Sequence, residues 1–84
     1  MGNMFRVLVP KEEAFQFIEI TKKFSDIINV NLPRYVGNSK SLLGVLSCLA
    51  LAGLSGMTVT FPNGYKIEEQ KYVDEMITKW GIKY

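Results

Sequence analysis

The sequence predicts an α+β domain in which three helices cover one face of a four-stranded, mostly antiparallel sheet. Segments of β-branched or alternating residues, segments with apolar residues at helical spacing, and turn residues between them follow in the order β, α, β, β, α, β, α. With 84 residues the chain is long enough for one domain and too short for two, so we interpret residues 1–84 as a single domain. Such layers bury the apolar side of each element against its neighbour.

The first strand and the first helix are predicted to meet with almost no loop. Met4–Val9 is rich in apolar and β-branched residues and stops at Pro10, which cannot donate a sheet hydrogen bond. A helical pattern opens at Lys11, and Glu12 and Glu13 lie in its first turn, where carboxylates favour the helix dipole. The apolar side of this helix is formed by Ala14, Phe17, Ile18, Thr21 and Phe24.

The next segment is typical of a β-hairpin. Residues Asp26–Leu32 alternate between apolar and polar side chains, as in a half-buried strand. Pro33 and Arg34 are turn residues, and Tyr35–Gly37 can return as a short second strand. The sequence therefore predicts two paired strands before the central helix begins.

The chain is organised around the stretch Asn38–Phe61, which carries no charge after Lys40. Ser39 and Ser41 precede an apolar run, which is the pattern of a capped helix, and alternation resumes beyond Gly56 as a strand. The apolar run is shorter than the roughly 20 residues that a membrane-spanning helix needs. We therefore interpret it as a helix of the protein core, followed by the last strand.

The remaining sequence predicts a turn and a closing amphipathic helix. Pro62–Gly64 is a turn signal, a helical pattern starts at Lys66, and Gly81 ends it. The predicted apolar stripe of this helix consists of Ile67, Val73, Met76, Ile77 and Trp80.

Composition argues against several classes of function. Ten basic and eight acidic residues give a formal net charge of +2, and the basic residues are scattered, so the basic patch of a nucleic-acid-binding protein is not expected. The chain has no histidine and a single cysteine, Cys48, so neither an enzyme, a metal site nor a cofactor is predicted. Cys48 is interpreted as a small core residue. The lone cysteine and the lack of a secretory signal favour the cytoplasm.

Helical geometry predicts an exposed group of leucines on the central helix. Successive residues of a helix are rotated by about 100°, so the apolar residues of this helix fall into two stripes. The centres of the two stripes are about a third of a turn apart. The first stripe contains Val45, Cys48, Leu49 and Ala52, and the second contains Leu42, Leu43 and Leu46. Both cannot easily face the same sheet, so the second stripe is expected to remain partly exposed, as in an interface. Shielding by loops or by a second copy of the chain is the alternative.

The segment Ser39–Ser47 resembles the corresponding segment of HPr, the histidine-containing phosphocarrier of the bacterial sugar phosphotransferase system. Its Lys-Ser-Leu-Leu-Gly-Val-Leu-Ser run matches that family, and the order of the other predicted elements matches along nearly the whole chain. The resemblance implies an HPr-like open-faced β-sandwich. It also implies enzyme I, HPr kinase or a transcription regulator as protein partners.

The chain departs from the HPr family at the phosphorylated residue. HPr carries phosphate on a histidine before its first helix, and this chain has no histidine. Pro10 or Lys11 stands near the place of that histidine, and the loop is shorter. Glu12 and Glu13 come next, in the first turn of the predicted helix. Carboxylates there offset the positive end of the helix dipole and repel a phosphate dianion. Phosphocarrier chemistry is therefore not expected, although these glutamates could serve only to stabilise the start of the helix.

Ser41 matches the serine that HPr kinase phosphorylates in some bacteria. A phosphate at this position would face the backbone N–H groups at the start of a helix. The simpler interpretation is that Ser41, or Ser39, only caps the helix. Lys40 could pair with the phosphate or remain solvated. By the same alignment, the expected partner-binding residues are Phe15, Lys40, Leu42, Leu43 and Leu46.

Two functions are compatible with these features. The first is a non-catalytic HPr-like regulatory or protein-binding module of the phosphotransferase system, which phosphorylation of Ser41 could switch. The second is an HPr-shaped scaffold recruited to an unrelated protein interaction, which could include formation of a homodimer.

Overall fold

The computed structural model describes residues 4–82, except for the side chain of Leu54. Its four strands are β1 (Met4–Val7), β2 (Asn29–Leu32), β3 (Tyr35–Asn38) and β4 (Met57–Thr60). Its three α-helices are α1 (Ala14–Thr21), α2 (Leu42–Ala52) and α3 (Gln70–Trp80). The predicted α+β class, with a four-stranded sheet and three helices, is confirmed.

The four strands form one antiparallel sheet in the spatial order β1-β4-β2-β3. Val7, Val30 and Val59 are fully buried on the side of the sheet that the helices cover. Side chains alternate between the two faces along each strand. The outward-facing residues are therefore Met4, Arg6, Asn29, Asn31, Val36, Asn38, Thr58 and Thr60. This arrangement is compatible with an open-faced sandwich.

Strand β1 ends two residues earlier than the sequence predicted. The prediction extended β1 to Val9, but the Leu8 N–H donates to the carbonyl of Trp80 at 2.9 Å instead of to a sheet neighbour. Val7 also forms an isolated bridge with Gly81. The segment after α3 thus covers the free edge of β1, which is one way in which proteins protect an exposed sheet edge.

Helices α1 and α3 each begin with a short 3₁₀ turn, which spans Lys11–Glu13 in the first case and Ile67–Glu69 in the second. The second turn corrects the predicted stripe of the closing helix, because Ile67 lies outside α3 and is 91% exposed. The residues of α3 that face the core are Val73, Met76 and Trp80, which the prediction included. Ile77 was also predicted to face the core, but it is exposed.

Gly56, the residue just before β4, has a backbone conformation and a close backbone contact that only glycine tolerates well. It has φ +77° and ψ −180°, and a Cβ there would lie 2.6 Å from the Val7 carbonyl oxygen. We expect Gly56→Ala to lower the free energy of unfolding by about 2 kcal/mol. Gly64 is a matched control, because its φ of +73° is similar but a Cβ there would contact nothing within 4 Å. Gly64→Ala should cost about 1 kcal/mol; equal losses in urea denaturation would contradict this explanation.

Candidate functional site

Ser41 is the N-cap residue of α2. Its backbone is extended, and its Oγ accepts a hydrogen bond from the Gly44 N–H at 3.2 Å. The cap predicted from the sequence is therefore present, and Ser41 rather than Ser39 provides it. The Ser41 side chain is exposed, so its hydroxyl can be reached from solvent.

Ser39 is not the N-cap of α2 but a buried residue of the loop before it. It is fully buried, its N–H donates to the Ile28 carbonyl, and its carbonyl accepts from the Thr21 hydroxyl at 3.1 Å. These bonds connect the end of α1 to the hairpin just before α2. Ser39 thus helps to hold the loop that carries Ser41, and sequence reasoning did not separate these two roles.

Helix α2 buries one side and leaves several leucines accessible. Val45, Cys48 and Ala52 face the core. Leu42 is 38% exposed and Leu43 is 77% exposed, and Leu46 is half-buried. The predicted leucine stripe is thus not enclosed by the monomer. Leu49, which the sequence placed on the buried stripe, is also only half-buried.

Phe15 meets two of these leucines at a shallow cavity between α1 and α2. The cavity has a volume of about 380 Å³, and Phe15, Leu42 and Leu46 line it together with Glu12. Phe15 is 66% exposed. Leu43 lies outside this lining, on the solvent side of the same turn of α2. We refer to Phe15, Leu42, Leu43 and Leu46 as the apolar patch.

The apolar patch continues towards the start of α1 and the end of β1. A second cavity of about 710 Å³ shares Lys11 and Leu46 with the first and is also lined by Leu8, Pro10 and Leu49. Leu8 is itself exposed. Contiguous exposed apolar surface of this kind is typical of a protein interaction site.

Lys40 does not join the apolar patch. Its Nζ donates to the Phe24 carbonyl at 2.9 Å, and Phe24 follows the C-terminal end of α1. Phe15 lies at the other end of the same helix. The Lys40 ammonium group therefore helps to hold α2 against the end of α1, a contact that the sequence did not indicate.

Glu12 and Glu13 have separate environments at the start of α1. Glu12 is exposed and borders the apolar patch. The Glu13 carboxylate accepts a hydrogen bond from Trp80 Nε1 at 2.8 Å, which ties the start of α1 to the end of α3. The sequence suggested a dipole effect at both positions. No local pattern could have indicated a partner 67 residues away.

Cys48 lies in the core, as the sequence predicted. It is fully buried on α2, and burial raises the pKa of its thiol. Because the thiolate is the reactive form, a raised pKa disfavours nucleophilic chemistry at this residue. Among residues 4–82 there is no group of three or more His, Cys, Asp or Glu side chains placed to hold a metal ion.

Comparisons of the chain with protein-family models, with curated proteins and with solved structures found no match. Across the described residues, no helix has the length and apolar character required to cross a membrane. Function must therefore be inferred from the exposed surface of the protein, where Ser41 and the apolar patch are adjacent.

The capping role of Ser41 can be measured directly. We expect Ser41→Ala to lower the free energy of unfolding by about 1 kcal/mol, because the Gly44 N–H loses its acceptor. Ser41→Asp should keep the stability near that of the native chain, since Asp caps equally well. Ser47→Ala, within the same helix, serves as the control for loss of a hydroxyl. Equal urea denaturation curves for native and Ser41→Ala chains would contradict the cap.

Proposed function

We propose that this protein is an HPr-like, non-catalytic binding module of the bacterial phosphotransferase system that acts in the cytoplasm and cannot carry phosphohistidine. The resemblance of Ser39–Ser47 to HPr supports this proposal. The βαββαβα order of the elements and the lack of histidine in the sequence are consistent with it. Under this proposal, the protein acts by recognising other proteins through its surface.

The observation that carries the proposal is the exposure of the apolar patch beside Ser41. Large apolar side chains in adjoining positions bury well against a partner and supply much of the binding energy in protein complexes. Phe15 contributes an aromatic ring, and Leu42 and Leu46 line the adjoining cavity. Enzyme I or HPr kinase is the partner that the resemblance suggests for this surface.

Ser41 is the proposed point of regulation. Its hydroxyl is exposed, and a phosphate there would lie next to the backbone N–H groups of the first turn of α2, which attract anions. Lys40 is less suited to this role, because its ammonium group is bonded to the Phe24 carbonyl. Phosphorylation would add negative charge beside Leu42 without removing apolar core contacts, so it would alter partner binding more than folding.

The width of the exposed apolar surface favours a second candidate function. The apolar patch extends past Leu46 to Leu8 and Leu49, and a second copy of the chain could cover this surface as a homodimer. In that case the protein would be an HPr-shaped scaffold with a role outside the phosphotransferase system. Sedimentation equilibrium of the native chain and a Leu43→Asp variant separates these functions. A native dimer that Leu43→Asp dissociates would favour the scaffold.

Isothermal titration calorimetry of the chain with purified enzyme I tests the first function. We expect saturable binding that Ser41→Asp alters and that Thr78→Asp leaves unchanged. Because Thr78 is exposed on α3 and lines neither cavity of the apolar surface, it controls for an added surface charge away from the proposed interface. Absence of binding to enzyme I, combined with a stable dimer, would favour the second function instead.

A further inference from the structure

The outer face of the sheet carries a cavity of about 740 Å³, which shares no lining residue with the apolar patch. It lies where β2 turns into β3 and where β4 begins, and it extends over the outward-facing side chains of β1, β2 and β4. Its polar lining includes Arg6, Asn31, Arg34 and Thr58, and Leu51 at the end of α2 contributes an apolar wall. No helix covers the outer face within the described residues, so the cavity is open to solvent.

The charged side chains that line this cavity, Arg6 and Arg34, are both basic. The sequence has no Asp or Glu between Ile27 and Ile67, and β1 has none either. Within residues 4–82, neither Arg6 nor Arg34 forms an ion pair with a carboxylate. In the part of the chain that the structure describes, two guanidinium groups without acidic partners therefore line one cavity, although the acidic residues of the chain nearly balance its basic residues overall. This distribution is complementary to an anion.

Two polar side chains of the cavity, Arg6 and Asn31, are held in position by hydrogen bonds. The Arg6 guanidinium donates to the Ser55 carbonyl. The Thr60 hydroxyl donates to Asn31 Oδ1 at 2.9 Å, which leaves the Asn31 amide nitrogen available as a donor. Arg6, Thr58 and Asn31 occupy one cross-strand row. Adjacent strands are about 4.8 Å apart, so this row spans roughly 10 Å, the length of a small organic molecule.

The geometry points to a binding site for a small amphipathic organic anion, with its carboxylate or phosphate group at Arg6 and Arg34 and its apolar body against Leu51. Guanidinium groups pair with both oxyanions through two parallel hydrogen bonds. Leu32, Met4 and Tyr35 add further apolar surface at the cavity. Mixed linings of this kind, mainly apolar with a few placed polar groups, are typical of small-molecule sites.

The same surface is poorly suited to single-stranded nucleic acid. Proteins that bind single strands offer aromatic rings on which successive bases stack. Tyr35 contributes one aromatic ring to the lining of the cavity, and Phe5 belongs to the face that the helices cover. One ring does not provide the row of stacking platforms that successive bases need. Two arginines also provide less charge than a polyanionic backbone needs.

Octanoate is a suitable probe for an NMR titration of the full chain, at concentrations where it does not form micelles. We expect chemical shift changes at the amides of Asn31, Arg34 and Thr58, and weaker binding by about tenfold in Arg6→Gln and in Arg34→Gln. Lys79→Gln removes an exposed charge on α3 and should bind octanoate like the native chain. A parallel titration with octyl phosphate shows whether the site prefers a carboxylate or a phosphate group. The site is supported if either octanoate or octyl phosphate binds more tightly than the neutral octanol described below.

Neutral octanol and inorganic phosphate test the two halves of the ligand separately. Both should bind at least about tenfold more weakly than octanoate, because each lacks one set of contacts. Arg34 is exposed on a turn, so Arg34→Gln remains informative even if Arg6→Gln unfolds the sheet. Octanol binding equal to octanoate binding, shifts confined to the apolar patch, or unchanged affinity in Arg34→Gln would overturn the inference.

Discussion

A chain that carries both Phe15→Asp and Leu42→Asp is expected to bind enzyme I at least about 100-fold more weakly than the native chain, as for loss of two central contacts in an interface. Both side chains line the same cavity. The substitutions place carboxylates in the first turns of α1 and α2, where they favour the helix dipoles. The fold should therefore survive, and the loss should reflect the missing apolar contacts.

Leu51→Asp is the matched control for this double variant. Leu51 is also on α2 and is 66% exposed, but it lies by the outer-face cavity instead of the apolar patch. Its substitution should leave the affinity for enzyme I within about threefold of the native value. Calorimetric titration gives the affinities, and circular dichroism checks the fold. Equal losses in both proteins would mean that the apolar patch is not the binding surface.

Glu69→Gln is expected to lower the free energy of unfolding by about 3 kcal/mol at pH 7, because a buried carboxylate with three donors would be replaced by an amide. Glu69 Oε2 accepts from the Ser25 N–H at 2.9 Å and from the Ser25 hydroxyl at 3.2 Å, and Oε1 accepts from the Lys66 N–H at 2.8 Å. A glutamine NH₂ group would face one of these donors. The exposed neighbour Glu68 provides the control Glu68→Gln, which should change stability by less than about 0.5 kcal/mol.

The stabilising effect of Glu69 should depend on pH. The backbone hydrogen bond from Lys66 and those from Ser25 lower the pKa of Glu69 below its ordinary value of 4.5, although burial partly opposes them. A carboxyl whose pKa is lower in the folded state stabilises the protein above its unfolded pKa and loses this effect as the pH falls through its folded pKa. Native and Glu69→Gln chains should thus become closer in stability below about pH 4.5. A difference that stays constant to pH 2 would contradict this assignment.

Patterns within one element were sufficient to predict most of the fold. Alternation and helical spacing indicated all four strands and three helices, and the hydroxyl residues before Leu42 indicated the cap. The separation of Val45 and Cys48 from Leu42 and Leu43 followed from helical geometry alone. These features depend on near neighbours in the chain, so the sequence contains the information.

Contacts between distant parts of the chain could not be predicted in this way. Glu69 bonds to Ser25 across 44 residues, and Glu13 bonds to Trp80 across 67. Both glutamates resemble ordinary acidic residues at the start of a helix. The role of Lys40 was equally hidden, because the Phe24 carbonyl becomes its partner only when α1 and α2 pack together.

The outer-face cavity shows a further limit of sequence reasoning. Alternation places Arg6, Asn31 and Thr58 on the polar face of their strands, but it does not indicate which strands are neighbours. The order β1-β4-β2-β3 brings these residues into one row and places Arg34 and Leu51 beside it. The basic residues whose scatter argued against a nucleic-acid-binding patch therefore include two, Arg6 and Arg34, that line one cavity.

Incubation of the native chain with purified HPr kinase and ATP, followed by mass spectrometry of the peptides, tests the HPr-like binding role most directly. We predict addition of one phosphate to Ser41 in the native chain, and little or none in the chain with Phe15→Asp and Leu42→Asp, because the kinase would use the apolar patch to dock. A native chain that gains no phosphate on Ser41 and does not bind enzyme I would contradict that role.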